Sequence, residues 1–263
     1  MSFLLIGVCL LLLIALVTFQ RRLIYFPETL TATQAEEMFR RHHVTPWPEG
    51  EPYRAVTRPP REEGEAFTNG TVLVFHGNAT SAYQLDDLFA PLQKRGWRVV
   101  LAEFPGYAGR TGIPTEATIT ADARETARRV RASYPGALAL FGISLGTGVA
   151  SAIAADPEVY ADAVILATPF DSMVNVGAKH YPWLPVRFLL RDRWDNVAAL
   201  RDYRGVIRVL MAEDDEVVPA ASTRRLLKAF PRATLITIQE ASHNDWFERM
   251  TDRDWDALFG GRE

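Results

Sequence analysis

The stretch from Ala137 to Gly148, ALALFGISLGTG, limits the possible folds of this chain more than any other. It begins with the apolar run Ala137–Phe141, which is short enough to be a single buried strand. The pentapeptide G-x-S-x-G follows, centred on Ser144, and the small apolar residues after it predict a helix from Gly148 to Ala155. A strand, a sharp turn and a helix are the setting in which this pentapeptide acquires a chemical meaning.

The chemistry of serine explains the spacing of the glycines. A serine hydroxyl is a weak nucleophile, so it has to be exposed at the tip of a tight turn. Such a turn brings backbone segments so close that Gly142 and Gly146 can carry almost no side chain. The helix then directs its N-terminus at the reaction, where the Leu145 N–H can face a developing oxyanion. The alternative is a glycine-rich turn with a structural serine, and the pentapeptide alone does not decide between them.

The rest of the chain predicts a mostly parallel sheet covered by helices on both faces. Nearly all-apolar segments alternate with helical patterns, as buried parallel strands do. The predicted strands are Thr71–Phe75, Trp97–Phe104, Ala137–Phe141, Ala163–Ala167, Val206–Met211 and Thr234–Ile238. The predicted helices include Thr31–His42, Ser81–Lys94, Pro114–Arg131, Ala220–Phe230 and Asp245–Phe259.

Active sites in parallel sheets lie beyond the carboxyl ends of the strands, so the residues that follow each strand are the candidates. Ser144 follows one strand, Asp215 follows Val206–Met211, and His243 follows Thr234–Ile238. A histidine can take the serine proton and return it to a leaving group, and a carboxylate can fix its tautomer. Asp214 is the direct rival of Asp215 for that carboxylate, and Asp171, which follows another strand, is a second rival.

A second oxyanion donor is expected from the loop after an earlier strand. The segment His76-Gly77-Asn78-Ala79 fits, and the backbone N–H of Asn78 is the predicted donor. We expect His76 to shape this loop and Glu103 to serve as a structural hydrogen-bonding group.

Composition excludes several classes of function. The net charge of −3 gives no basic field for a nucleic acid. Cys9 is the single cysteine, so neither an intrachain disulfide nor a cysteine metal site is possible. The five histidines show no H-E-x-x-H spacing. No metal and no cofactor are therefore predicted.

The amino terminus holds a run of apolar residues from Phe3 to Phe19, followed by Arg21 and Arg22. Seventeen residues are at the short end of a bilayer span. The run lacks the basic start and the A-x-A-like end of a signal peptide, so an uncleaved membrane anchor over residues 1–22 is preferred. A signal peptide and a buried core helix are the alternatives. The positive-inside rule would put the following domain on the cytoplasmic side.

Two further segments have predicted roles. Residues 23–70 connect the anchor to the domain at 71–263 and hold its first strands, with Pro52–Arg58 a candidate edge strand. Residues 171–205 separate two strands and suit a small helical cap. The aromatic and aliphatic side chains of this segment fit an acyl pocket, a membrane-facing rim or ordinary packing on the sheet.

The chain resembles the α/β-hydrolase superfamily from about Thr71 to its end. More narrowly, it is similar to membrane-anchored α/β-hydrolase-domain proteins with a small cap, relatives of the serine aminopeptidase and monoglyceride-lipase group. The matching segments are LIYFP at 23–27, HGNA at 76–79, PGYAGRTGIPTE at 105–116, GISLG at 142–146, PFDS at 169–172, YPWLPVRFLLRDRWD at 181–195, DEVVP at 215–219 and SHND at 242–245. The resemblance implies Ser144 as nucleophile, Asp215 as acid and His243 as base, with Asn78 and Leu145 as oxyanion donors.

The expected activity is that of a membrane-anchored serine hydrolase of the lipase and esterase kind, cleaving an acyl ester or thioester through an acyl-enzyme. Its substrate would be a small molecule, a lipid such as a lysophospholipid, or an acylated protein. A serine peptidase is the alternative among enzymes. A non-catalytic, membrane-tethered binding protein on the same fold is the alternative from another class, because the fold alone does not fix the function.

Overall fold

A computed structural model describes residues 2–58 and 69–260 of the chain. Eight strands of these residues form one sheet in the order β1-β2-β4-β3-β5-β6-β7-β8. The strands are β1 Thr45–Trp47, β2 Ala55–Thr57, β3 Gly70–Phe75, β4 Trp97–Ala102, β5 Leu138–Ile143, β6 Ala163–Ala167, β7 Val206–Ala212 and β8 Thr234–Ile238. All neighbours from β4 to β8 pair in parallel, whereas β1–β2 and β2–β4 pair antiparallel.

Helices cover both faces of this sheet. They are α1 Ser2–Ile24, α2 Ala32–Arg41, α3 Asp86–Lys94, α4 Glu116–Ser133, α5 Leu145–Ala154, α6 Met173–His180, α7 Val186–Leu189, α8 Asn196–Ala199, α9 Ala220–Ala229 and α10 Asp252–Phe259. Alternate residues of the central strands face two separate cores. Leu73 and Phe75 of β3 pack on the side of α4 and α5, while Val72 and Val74 pack on the side of α3 and α10. Burial on both faces explains why β3 is apolar from Val72 to Phe75.

Most predicted elements lie within two or three residues of the observed ones. The prediction was wrong for the edge strand and for the last helix. β2 is shorter than Pro52–Arg58 and does not form the edge, because β1 pairs with its outer side. The last helix begins at Asp252 rather than Asp245, since Thr251 forms a capping box with Asp254. Residues 59–68 of the predicted connecting segment lie outside the described part.

The membrane anchor predicted for residues 1–22 is not supported. Within residues 2–58 and 69–260, no helix combines the length and the apolar character needed to cross a bilayer. The apolar run does form a helix, but its last turns carry polar side chains that bind the rest of the protein. Arg21 pairs with Asp192 at 2.9 Å, and the Gln20 amide donates to Leu189 O at 3.1 Å. The cytoplasmic orientation read from Arg21 and Arg22 rested on that anchor and loses its basis.

Three short helices, α6 to α8, fill the chain between β6 and β7. They lie within residues 171–205, where a small helical cap was predicted. Asn196 of α8 ties this segment to the centre of the domain, because its amide donates to Thr147 Oγ1 at 3.1 Å and to Phe170 O at 2.9 Å. At the other end, His180 Nε2 lies 2.9 Å from Val217 O in the turn after β7.

Candidate active site

Ser144 stands at the sharp turn between β5 and α5. Its backbone has φ +49° and ψ −113°, a strained conformation for a residue with a side chain. The Ser144 N–H donates to Ala167 O of β6 at 3.0 Å, which fixes the turn to the sheet. A strained conformation that the surrounding structure holds in place is common at functional sites.

The glycines of the pentapeptide are required by close backbone contacts. A Cβ on Gly142 would lie 2.6 Å from Thr147 Cα, and one on Gly146 would lie 2.7 Å from His76 O. Real Cβ atoms do not approach backbone this closely. The prediction that neither position tolerates a side chain is therefore confirmed.

His243 comes from the loop after β8 and reaches Ser144 across the carboxyl end of the sheet. Its Nε2 lies 2.9 Å from Ser144 Oγ, and its Nδ1 lies 2.7 Å from Asp215 Oδ2. The Asp215 side chain is 3% exposed and that of His243 is 10% exposed. The loop is held by Asp245, whose Oδ1 accepts from the Ser242 N–H at 2.6 Å and from its hydroxyl at 2.8 Å. These bonds from Ser242, together with Arg249, lower the pKa of Asp245 below its ordinary value.

The turn after β7 orients the Asp215 carboxylate. Its Oδ1 accepts from the backbone N–H of Val217 at 2.9 Å and of Val218 at 2.7 Å, which leaves Oδ2 for His243. An ionised carboxylate only accepts hydrogen bonds, so the His243 Nδ1 carries the proton and donates it to Oδ2. His243 Nε2 is then free to accept from the Ser144 hydroxyl.

Neither rival carboxylate lies at His243. Asp214 is exposed, and its backbone N–H donates to Ala241 O. Asp171 is buried and forms a bidentate ion pair with Arg225, with Nε at 2.7 Å and Nη2 at 3.0 Å. Burial would raise the pKa of Asp171, but hydrogen bonds from Arg225, Ser222 and Asn175 outweigh it and lower the pKa. The structure therefore brings His243 to Asp215.

The two predicted oxyanion donors flank Ser144. Leu145 is the first residue of α5, so its N–H has no acceptor one turn earlier in the helix. Gly77, which precedes Asn78, comes so close that a Cβ there would lie 3.5 Å from Ser144 Cβ. Within the described residues, neither the Asn78 nor the Leu145 backbone N–H donates to another residue. An oxyanion donor must have its N–H unpaired in this way before the substrate binds.

Buried polar residues support the loop that carries Asn78. His76 is fully buried, with Nδ1 2.7 Å from Gly77 O and Nε2 2.8 Å from Glu103 Oε1. Glu103 also accepts from the Ala82 N–H at 2.9 Å. These contacts agree with the loop-shaping part expected for His76 and the structural part expected for Glu103. No cluster of three His, Cys, Asp or Glu side chains suited to a metal ion occurs in the described ranges.

Sequence reasoning missed how residues 25–28 contact this loop. The Phe26 N–H donates to the side chain of Asn78 at 2.9 Å. The Glu28 carboxylate accepts from the Ser81 and Tyr83 hydroxyls at 2.9 and 2.7 Å. The signal in the sequence is the aromatic run LIYFP at 23–27, which predicts only part of the connecting segment. The sequence predicts a role for the backbone N–H of Asn78 and none for its side chain.

Comparisons with known proteins agree with this architecture. Residues 70–200 match a protein family described as "alpha/beta hydrolase fold". An uncharacterized protein of Mycobacterium tuberculosis, Rv2307c, is 32% identical over 237 residues, which cover 86% of this chain and 81% of that protein. The human alpha/beta hydrolase domain-containing protein 17B is 26% identical over 180 residues, covering 66% of this chain and 60% of that protein.

Among solved structures, the apo form of Thermogutta terrifontis esterase 2 superimposes with a TM-score of 0.62. The match covers 82% of this chain and 90% of the esterase at 19% sequence identity, which is a likeness of fold. The parallel sheet, the strand–turn–helix around Ser144 and these matches lead to one assignment: the chain belongs to the α/β-hydrolase superfamily.

Proposed function

We propose that this chain is a serine hydrolase that cleaves an acyl ester or thioester through an acyl-enzyme. The observation that carries the proposal is that His243 bridges Ser144 and Asp215. Its Nε2 lies 2.9 Å from Ser144 Oγ, and its Nδ1 lies 2.7 Å from Asp215 Oδ2. Membership of the superfamily and the esterase among its structural neighbours support hydrolysis as the reaction.

This geometry supports the following reaction. Ser144 Oγ attacks the acyl carbonyl carbon while its proton passes to His243 Nε2. The Asp215 carboxylate stabilises the imidazolium, and the Asn78 and Leu145 N–H groups donate to the oxyanion. Collapse of the tetrahedral species breaks the bond to the alcohol or thiol, which takes the proton from His243. Water, deprotonated by His243, then releases the acid and restores Ser144.

The exposed side chains of the segment between β6 and β7 favour a substrate with an apolar acyl chain. Tyr181, Trp183 and Phe188 of the segment between β6 and β7 are 53%, 75% and 78% exposed. His180, next to Tyr181, contacts the turn that carries Asp215. Large apolar side chains left uncovered beside a polar site are typical of contacts with an apolar ligand.

A fluorophosphonate probe tests the proposal on the full chain. The expected result is a single adduct on Ser144, located by mass spectrometry of the peptides, and its loss in both Ser144→Ala and His243→Ala. Hydrolysis of p-nitrophenyl esters and acyl thioesters of increasing chain length then measures the acyl preference. A folded wild-type protein that neither labels nor hydrolyses any of these compounds would refute the proposal.

A further inference from the structure

Residues 20–28, here called the N-terminal strap, join the segment between β6 and β7 to the loop that carries Asn78. The upper end of the strap binds that segment through side chains. Besides the Arg21–Asp192 pair, Gln20 Oε1 accepts from the Arg191 N–H at 2.8 Å. The buried Tyr25 hydroxyl accepts from Trp194 Nε1 at 3.0 Å.

The lower end of the strap binds the side chain of Asn78. Asn78 Oδ1 accepts from the Phe26 N–H and from the Ala79 N–H, both at 2.9 Å, and from the Tyr107 hydroxyl at 3.3 Å. Ala79 has φ +53°, a conformation that costs a residue with a Cβ about 1 kcal/mol or more. The bonds to Asn78 Oδ1 hold this strained turn next to Ser144.

Glu28 provides a second attachment to the same loop. Its Oε2 accepts both the Ser81 and the Tyr83 hydroxyl, and its backbone carbonyl accepts from the Ala108 N–H at 2.8 Å. Burial, followed by the hydrogen bond to Glu28, raises the pKa of Tyr83, so this phenol remains a donor. The strap therefore contacts the loop at Asn78 and again at Ser81 and Tyr83, on both sides of the Ala79 turn.

We propose that the strap is a positioning element of the oxyanion hole and that it acts through the Asn78 side chain, which accepts its hydrogen bond. The bond from Phe26 to Asn78 Oδ1, reinforced at Glu28, fixes the peptide whose N–H donates to the substrate oxygen. This inference rests on the proposed function, because it concerns the same Asn78 N–H. Residues 20–28 thereby contribute to turnover through these hydrogen bonds, and this contribution does not depend on the cellular location of the protein.

Misplacement of an oxyanion donor lowers kcat more than it raises KM, because charge on the oxygen develops only in the transition state. Removal of one such donor costs about 10²–10³ in kcat in known serine hydrolases. Displacement rather than removal should cost less, so we expect a loss of about 10- to 100-fold for a released Asn78 loop.

The experiment compares full-chain variants by hydrolysis of p-nitrophenyl butyrate. Asn78→Ala removes the acceptor but keeps the backbone N–H, and it should lower kcat about 10- to 100-fold with KM within about threefold. Glu28→Ala should lower kcat about tenfold, while Glu28→Gln, which keeps an acceptor oxygen, should recover most of it. Glu36→Ala, an exposed glutamate in α2, is the matched control and should equal wild type.

A trifluoromethyl ketone supplies the readout that a merely structural part would not change. Ser144 Oγ adds to its carbonyl carbon, the C=O π electrons become the oxyanion, and the serine proton moves to His243. The inhibition constant should therefore rise in each variant by about the factor by which kcat falls. Thermal unfolding of every variant shows whether it is folded, and if Asn78→Ala does not fold, the Glu28→Ala and Glu28→Gln pair decides.

The outcomes separate this inference from the function beneath it. Wild-type activity that requires Ser144, with kcat and inhibition constant unchanged in folded Asn78→Ala and Glu28→Ala, would overturn the strap alone. An equal loss in Glu28→Ala and Glu28→Gln would also overturn it, since the retained acceptor would then be irrelevant. No turnover and no labelling by wild type would overturn the proposed function and the inference together.

Discussion

Asp215→Asn is the change that should separate orientation of His243 from the other contributions to turnover. The backbone N–H groups of Val217 and Val218 both donate to Asp215 Oδ1, so this position of residue 215 must hold an acceptor oxygen. An asparagine there must keep its carbonyl oxygen inward and turn its NH₂ toward His243. Because an NH₂ group donates, His243 Nδ1 must then accept, and the proton moves to Nε2, which can no longer take the Ser144 proton.

The expected loss is large. The same reversal of tautomer lowers kcat about 10⁴-fold in a serine protease, which corresponds to ~5 kcal/mol of transition-state free energy. We expect a decrease of this order in kcat of ester hydrolysis and a comparable slowing of fluorophosphonate labelling. KM should change little, since the Asp215 side chain is 3% exposed and reaches Ser144 only through His243.

Asp214→Asn is the matched control, because it is the adjacent acidic residue and its side chain is exposed. It should keep kcat within about threefold of wild type. Asp215→Asn retaining more than about a tenth of wild-type kcat would refute the tautomer reasoning. A greater loss in Asp214→Asn would assign the acid to the other residue.

Two further predictions concern stability. Gly146→Ala should destabilise the protein by about 3 kcal/mol or more in chemical unfolding, because its Cβ meets the backbone at His76 O. Gly7→Ala, inside helix α1 with open space around it, should be neutral or stabilising by up to about 1 kcal/mol, so equal losses in the two variants would contradict the packing. Asp171→Asn should keep Ser144 labelling but lower stability by about 1–3 kcal/mol at neutral pH, since it breaks the pairing with Arg225. The pKa of Asp171 is lowered in the folded wild type. The extra stability of wild type over Asp171→Asn is therefore present above the unfolded-state pKa and is lost as pH falls through the folded pKa. A melting-temperature difference that does not shrink in acid would contradict this assignment.

The sequence predicted those parts of the fold that rest on periodicity. Long apolar strands buried on both faces, such as β3 and β5, are recognisable because nearly every residue is apolar. The three-residue strands β1 and β2 were missed or misplaced, since so few residues carry no periodic signal and their pairing is set by contacts with β4. The start of α10 was missed because Thr251 caps it after several residues of turn that resemble a helix.

The amino terminus shows how composition can mislead. The apolar run predicted a membrane anchor, and it does form a helix. The charges of Arg21 and Arg22 predicted only an orientation in the membrane and not the contacts that the final turns make. Arg21 and Gln20 find partners about 170 positions away along the chain. Such partners cannot be read from a local pattern, because they depend on where the segment between β6 and β7 returns to the N-terminal helix.

The sequence by itself determined the order and chemistry of the candidate site. Ser144, Asp215 and His243 each follow an apolar strand, and parallel strands deliver their carboxyl ends to one edge. Only the tertiary structure decided which carboxylate faces His243, because Asp214 and Asp215 are adjacent and differ only in the direction of their side chains. It also decided that Phe26 and Glu28 hold the Asn78 loop. Hydrogen bonds between residues more than fifty positions apart are specified by the packing of the whole chain, and they leave no mark on the local sequence.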